Sequence, residues 1–417
     1  MVYFLSKMQN FGKGEIMKPE GWYTGIVHLW QLDPEKVYID LEEPFKTKMF
    51  KTARQITKSW TSLAKAVGLK ISAYYCVNQI QTFKRDLCCK LSLIIKLSKF
   101  LESKGYHEFS LKNIERHISK IKKMYGSNPV IKPKLPFDFN KPCGATLISA
   151  ILHDGHFGRE TMYTNTSLQL REKIIHAFKN IIGECRISSN KVCVRFPRIF
   201  GIILRDGIGL KPGVKVETNP DVPYFILNGN KSLVSAYLMQ AFDDEGSVSN
   251  SNITLTLETR ERDNPPNLLI AINNLLKKMG IEHTEPKFVG EKITKSGKIG
   301  YLWRIGIYGK RNLEKFAKEV GFSLEYKYND LKSAIASIKR YKFGQGKAIQ
   351  ELLKVMKEIK KENGKITSTE ISKRLKKNRS HVGNYLKKMC ELRLLKKIKD
   401  SKPLRKGVYP AEYEVIV

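Results

Sequence analysis

The chain is short of acid. Its 417 residues carry 40 Asp and Glu against 75 Lys and Arg, a net charge of +35, and the pI is near 9.8. The excess is spread along the whole length. An acidic small molecule does not call for so much charge; a polyanion does, most often nucleic acid. Cysteines are few and scattered, at Cys76, Cys88, Cys89, Cys143, Cys185, Cys193 and Cys390, an odd number with no C-x-x-C pair. That argues against a zinc ribbon or a disulfide framework and points to reduced, small apolar side chains in a cytoplasmic protein. No apolar run reaches the ~18 residues that span a membrane, and no signal-peptide pattern is read at the start. What is present in quantity is apolar content, 41%, enough for real cores. The length predicts two to four domains.

Residues 1–45 are mixed, and no role is read for them. Residues 46–127 read as helical. Residues 61–68 form a short amphipathic pattern closed by Gly68, and Ser72 is a plausible N-cap for a second short helix over 73–81. That spacing is what a helix-turn-helix needs, with Tyr74, Tyr75, Asn78 and Gln81 on the exposed faces of the second helix. Asn and Gln can pair with adenine edges, and Tyr reaches phosphates. A longer helix over 85–103 would brace the unit; an ordinary helical bundle is the plain alternative. Residues 128–142, with Pro129, Pro133, Pro136 and Pro142, read as a linker. At the other end, residues 344–417 carry three helical patterns followed by two basic strand-like segments, a winged helix-turn-helix pattern. Arg379, Ser380, His381, Asn384, Lys387 and Lys388 lie where a recognition helix would face DNA. Such domains also serve as protein-interaction modules; the lysine density favours DNA.

The middle of the chain, 143–343, repeats. Leu147, Ala150, Ile151, Asp154 and Gly155 match Leu238, Ala241, Phe242, Glu245 and Gly246 at a constant offset of 91. Positions i, i+3, i+4 and i+7 share one helix face, so each copy offers Leu, Ala, a large apolar residue and an acid on one stripe. The small Ala150 and Ala241 let two such helices approach closely, and packing them together brings both acids to one end. Each copy leads into strands, an amphipathic helix (169–182 and 267–279), a hairpin (186–195 and 287–308) and a closing helical segment. The unit reads αββαββα, twice, with halves at 143–230 and 231–343: an α+β fold with pseudo-twofold symmetry.

On these residues the chain resembles the LAGLIDADG (dodecapeptide) homing endonuclease family, over about half its length. The segments 213–223 and 320–331 also resemble that family's spacers. The resemblance implies a saddle of antiparallel strands over the DNA major groove, flanked here by an all-α helix-turn-helix domain and a winged helix domain. It implies site-specific, double-strand cleavage of DNA by a monomer with no obligate protein partner. Asp154 and Glu245, with backbone carbonyls of His153 and Asp244, would hold Mg²⁺, with Mn²⁺ able to substitute. Two carboxylates ~4 Å apart repel by about 1 kcal/mol in water and ~4 kcal/mol at an effective dielectric of 20; divalent cations remove that cost. The metals would activate a water and stabilise the leaving 3′ oxygen. Lys215 and Lys327 are carried over by position as the lysines that stabilise transition-state charge. His153 departs from the family pattern and reads as a helix-end residue, since Mg²⁺ prefers oxygen.

Alternation along the strands places Arg159, Tyr163, Asn165, Thr254, Thr256 and Arg260 as candidates for the groove, each weighed against a solvated surface position. Other readings stay open: a non-catalytic regulator reusing the fold, to which the retained acids are useless, and an RNA-splicing maturase.

Overall fold

In the computed structural model the described residues are 18–68, 88–123, 128–249, 251–293, 297–338, 348–375, 379–399, 402–404, 407–409 and 411–416. Two compact units divide at Ser337 and Ile338. Helices and strands mix in both, and no described helix is long and apolar enough to cross a membrane.

The repeat lies in the first unit. Its first half runs α1 (Pro142–Leu152), β1 (Gly155–Phe157), β2 (Thr161–Thr164), α2 (Leu168–Ile181), β3 (Ser188–Ser189), β4 (Cys193–Arg195) and α3 (Arg198–Ile202). The second runs α4 (Lys231–Glu245), β5 (Gly246–Val248), β6 (Asn252–Thr259), α5 (Asn267–Lys278), β7 (Lys287–Ile293), β8 (Ile299–Tyr308), α6 (Lys310–Glu319) and α7 (Glu325–Ser337). Each half closes a four-stranded antiparallel sheet in the same order, β1-β2-β4-β3 and β5-β6-β8-β7. The sheets differ in size: β6 and β8 have 8 and 10 residues, β2 and β4 only 4 and 3.

Pro142 starts α1 at a position where a missing N–H costs nothing. Asn230 caps α4 by accepting the Leu233 N–H at 3.0 Å. The two helices pack on each other. Ala150 and Ala241 are fully buried, and Ser149 Oγ donates to the Tyr237 carbonyl across the seam at 2.9 Å. The glycines that follow are as alike as the helices. A Cβ on Gly155 would fall 2.4 Å from Ile151 Cα, and one on Gly246 2.5 Å from the Phe242 carbonyl oxygen. Both contacts are with the residue four places earlier, at the same offset of 91. Gly155→Ala or Gly246→Ala must therefore lift a strand off its helix end. Each is expected to cost about 1–3 kcal/mol, the usual range for overpacking, read as a lower denaturant midpoint with an unchanged slope.

The segment before the repeat is neither all-α nor a linker. Strands Cys89–Lys90, Val37–Leu41, Ile118–Lys123, Val130–Ile131 and Glu184–Cys185 form one antiparallel sheet in that order. Its last strand belongs to the first half of the repeat. Ile26–Val27 pairs with Phe137–Asp138, and the Asp33 N–H donates to Asp206 Oδ2 at 3.2 Å. The residues expected to link two domains thus contribute two strands, and residues 18–337 share one unit. The misleading pattern is in 118–123, where Ile118 and Ile121 are buried at a spacing of three, as on a helix. A register shift beside Asp40 and Leu41 allows this in a strand. The expected first helix is present, Trp60–Ala66, with Gly68 at φ 64°. The second, with Tyr74, Tyr75, Asn78 and Gln81, lies outside the described residues. The bracing helix starts only at Leu91, after a strand.

In the second unit, helices Ala348–Asn363, Ser368–Arg374 and Arg379–Glu391 surround a core of Leu352, Met356, Ile359, Ile371, Leu386 and neighbours. Strands Ile366–Thr367, Glu412–Val415 and Leu395–Lys399 form a sheet in that order, and a two-stranded hairpin, Lys402–Leu404 with Gly407–Tyr409, comes between the last two in sequence. The cap of the middle helix is Thr367, one place before the expected Ser368. Asn384, Lys387 and Lys388 are exposed, while Val382, Leu386 and Met389 face the core. The side chains of Arg379, Ser380 and His381 lie outside the described residues.

Candidate active site

The two motif helices deliver their acids to one place. Asp154 lies two residues past the end of α1, after the capping His153, and Glu245 is the last residue of α4. Burial pushes the Glu245 carboxyl above the usual range, and the negative charge of Asp154 pushes it further. Burial raises Asp154 as well, opposed first by its hydrogen bond from Asn165 Nδ2 at 2.8 Å and then by Lys215 and Lys327. The four residues singled out in the sequence therefore act on one another.

Lys215 enters on a short helix, Lys215–Thr218. Burial lowers its ammonium pKa; Glu245, then Asp154 and Asp244, raise it. The first-half lysine thus feels the second-half acid most. Lys215 and Glu245 line one cleft of about 290 Å³ with His153, Thr256, Glu258 and Lys292. Among the described residues the Lys215 ammonium has no hydrogen-bond or ion-pair partner. Lys327, by contrast, is buried and spends its three N–H donors on carbonyls of Phe242, Asp243 and Gly246, at 3.0, 2.6 and 2.6 Å. It caps the helix that carries Glu245, placing a cation and its donors at the negative end of the dipole, where the Phe242 carbonyl also accepts the Gly246 N–H.

Asp243 holds the same helix end from the other side. It is 2% exposed and pairs with Lys173 of α2 at 3.1 Å. It also accepts from the Ser323 hydroxyl and from the Ser323 N–H at 3.1 Å. Lys173 donates to Ser323 Oγ at 2.9 Å, which ties the first half to the second. The equivalent position in the first motif is Leu152, so only α4 is clamped in this way.

His153 is fully buried and neutral. Its pKa is pushed down to about 3, by burial first and the Lys215 charge second. Its Nε2 lies 3.4 Å from the Tyr237 hydroxyl.

Two residues expected in the groove turn inward instead. Tyr163 is completely buried, and its hydroxyl donates to Asp244 Oδ1 at 2.6 Å. Asn165 holds Asp154. In β2 the buried residues are Thr161 and Tyr163, while Met162 and Thr164 point outward. The phase is one residue from the expected alternation, and such a slip moves every side chain to the other face. In β6 the expected phase is present: Ile253, Leu255, Leu257 and Thr259 are buried, and Thr254 and Thr256 face out. Thr254 bonds Ser247 at 2.9 Å, and Thr256 accepts from Arg304 Nε at 2.9 Å. Arg304, not foreseen, is exposed beside it. Arg159 is exposed in the β1–β2 turn. Arg260 is half-buried and donates to the Ile299 carbonyl at 2.7 Å.

The donor set suits a hard divalent cation. Among the described residues the Glu245 carboxylate accepts no hydrogen bond and that of Asp154 accepts one. Asp244 Oδ2 is buried without a partner. Among the described residues no group of three or more His, Cys, Asp or Glu side chains is placed to hold a metal ion. An open set of carboxylate oxygens is what Mg²⁺ uses when water and phosphate complete its shell.

No family model matches the chain, and no curated protein does. Solved structures that it resembles include a variant of I-DmoI in complex with its target DNA in the presence of magnesium. That likeness has 13% identity and a TM-score of 0.29, covering 44% of this chain and 97% of that one. A structure of mesophilic variants of the homing endonuclease I-DmoI matches at 13% identity and a TM-score of 0.28, covering 46% of this chain and 98% of that one.

Proposed function

We propose that this chain is a site-specific, divalent-metal-dependent DNA endonuclease of the homing type, acting as a pseudo-symmetric monomer. The observation that carries the reading is the convergence of Asp154 and Glu245, from two equivalent helices, beside the unpaired ammonium of Lys215. A binding protein gains nothing from burying mutually repelling acids.

Asp154 and Glu245 would hold the cation, with the His153 and Asp244 carbonyls at the helix ends beside them. When bound, it supplies charge neutralisation and a water acidic enough to attack a phosphodiester. The chain's own residues do the rest. Asn165 fixes the Asp154 carboxylate. Lys327 and Asp243 fix the end of α4, so that Glu245 is presented without freedom to swing away. Lys215, poised in the cleft, meets the charge that develops on the phosphate. The outward row Thr254, Thr256 and Arg304 supplies groove contacts, and the net charge of +35 supplies phosphate contacts.

The second unit reads as a winged helix presenting Asn384, Lys387 and Lys388 to DNA. Deleting residues 344–417 is expected to weaken binding on all sequences and to flatten its salt dependence, which for 6–10 phosphate contacts is about 10³–10⁵ in affinity between 50 and 200 mM. Cleavage chemistry should survive. Fluorescence anisotropy across a salt series reads the first effect; equal affinity with and without the unit would remove it from the interface.

The function itself is tested by incubating the protein with a randomised duplex library and Mg²⁺ and sequencing the cut ends. Cuts focused on one sequence support an endonuclease. Sequence-selective binding without cuts would make the chain a regulator.

A further inference from the structure

We propose that the Asp244 side chain is a third metal-binding carboxylate, placed across the helix seam from Asp154; the inference rests on the metal-dependent reading above. Asp244 is the penultimate residue of α4, and it reaches back toward the first half. Its Oδ1 is fully engaged, accepting from the Tyr163 hydroxyl at 2.6 Å and from Gln240 Nε2 at 2.9 Å. Its Oδ2 is sealed from solvent and has no partner.

An enclosed, unpaired carboxylate oxygen is costly, because the group has lost water and gained nothing in exchange. The neighbours make it costlier. Asp154 is held beside them: its carbonyl accepts from the Thr164 N–H at 3.2 Å and its carboxylate from Asn165, both just past the Tyr163 that holds Asp244. Asp154 has an oxygen to spare too, since Asn165 donates only to its Oδ2. The two acids thus each keep an oxygen without a hydrogen bond among the described residues. Both carboxyls act on Lys215 and Lys327, yet neither is in a salt bridge with them.

Packing does not ask for an acid here. The equivalent residue of the first motif, 91 places earlier, is His153, a neutral side chain that fills the same end of its helix. A hard cation between Asp154 and Asp244 answers both free oxygens at once, in the oxygen-only chemistry that Mg²⁺, Mn²⁺ and Ca²⁺ share. Tyr163 and Gln240 then act as the outer partners that orient the new ligand. The consequence is an asymmetric site, with two side-chain acids serving the first-half centre and Glu245 alone serving the second.

Terbium(III), a hard oxygen-seeking ion that tyrosines sensitise, tests this on the DNA-free full chain, with Mn²⁺ counted in parallel by electron paramagnetic resonance. Asp244→Asn keeps the Oδ1 acceptor for Tyr163 and changes only the charge and Oδ2. It is expected to weaken Mn²⁺ by at least the ~10–100-fold that losing a supporting partner costs a metal site, and to lower the sensitised emission with it. Tyr163→Phe keeps the acid; it should retain the Mn²⁺ count and lose much of the emission. Should Asp244→Asn fail to fold, this second variant still decides, since unchanged emission places the ion elsewhere. Wild-type Mn²⁺ affinity and count in folded Asp244→Asn would overturn the inference. If Asp154→Asn with Glu245→Gln loses the ions while Asp244→Asn keeps them, only the third ligand fails. If that double variant also binds as the wild type does, the metal reading of the whole site fails.

Discussion

Asp154→Asn combined with Glu245→Gln is expected to abolish metal-dependent cleavage and leave DNA binding in place. Both changes keep the shape of the side chain and remove one negative charge each. The loss should reach about 10³-fold or more, because several kcal/mol of transition-state stabilisation depend on the cation these acids hold. Binding should hold or tighten slightly, since two charges that repel phosphate are gone. The fold should also hold. Both carboxyls have raised pKa values in the native state, Asp154 through burial and Glu245 through burial and Asp154. Neutral amides relieve that strain, so the variant is expected to melt at or above the wild-type temperature. A single-turnover cleavage assay, with anisotropy and calorimetry on the same preparation, reads all three quantities.

The two lysines should separate just as clearly. Lys327→Met removes a donor from the Asp243 and Gly246 carbonyls and from the Phe242 carbonyl, which keeps the Gly246 N–H. Buried acceptors left unpaired cost about 1–3 kcal/mol each when nothing replaces the partner. With some relaxation the variant should lose about 2–4 kcal/mol of stability, read as a lower denaturation midpoint. Lys215→Met removes an ammonium that makes no hydrogen bond and pays a burial cost. Its stability should stay close to the wild type, while the cleavage rate falls by about 10²–10³-fold, the scale for losing one preorganised charge-stabilising group. A stable Lys327→Met, or an unstable Lys215→Met with normal cleavage, would reverse these roles.

The repeat was legible because its signal is local and doubled. Leu147, Ala150, Ile151, Asp154 and Gly155 recur at one offset, and the structure gives both copies the same close contact between glycine and helix. The amphipathic helix after each motif, within a residue of its expected bounds, and the phase of β6 followed from that. The site's inner wall was not legible. Tyr163 and Asn165 sit on a strand of only four residues and the turn after it, too short for alternation to set the phase. Asp243 and Asp244 were visible as neighbours of Glu245, but their partners Lys173, Ser323 and Tyr163 come from other elements, and only folding assembles them. The N-terminal sheet was missed for a related reason. Its strands come from five separate stretches, one of them beyond α2, and a bulge gives Ile118–Lys123 the spacing of a helix.

Strand-resolved cleavage by the single variants Asp154→Asn and Glu245→Gln tests the shared site most directly. With each strand of a cleaved duplex labelled separately, each variant should slow both strands, because the two acids share one electrostatic site, but each should slow a different strand more. Wild-type rates on both strands in both variants would contradict a site built from the two helix ends.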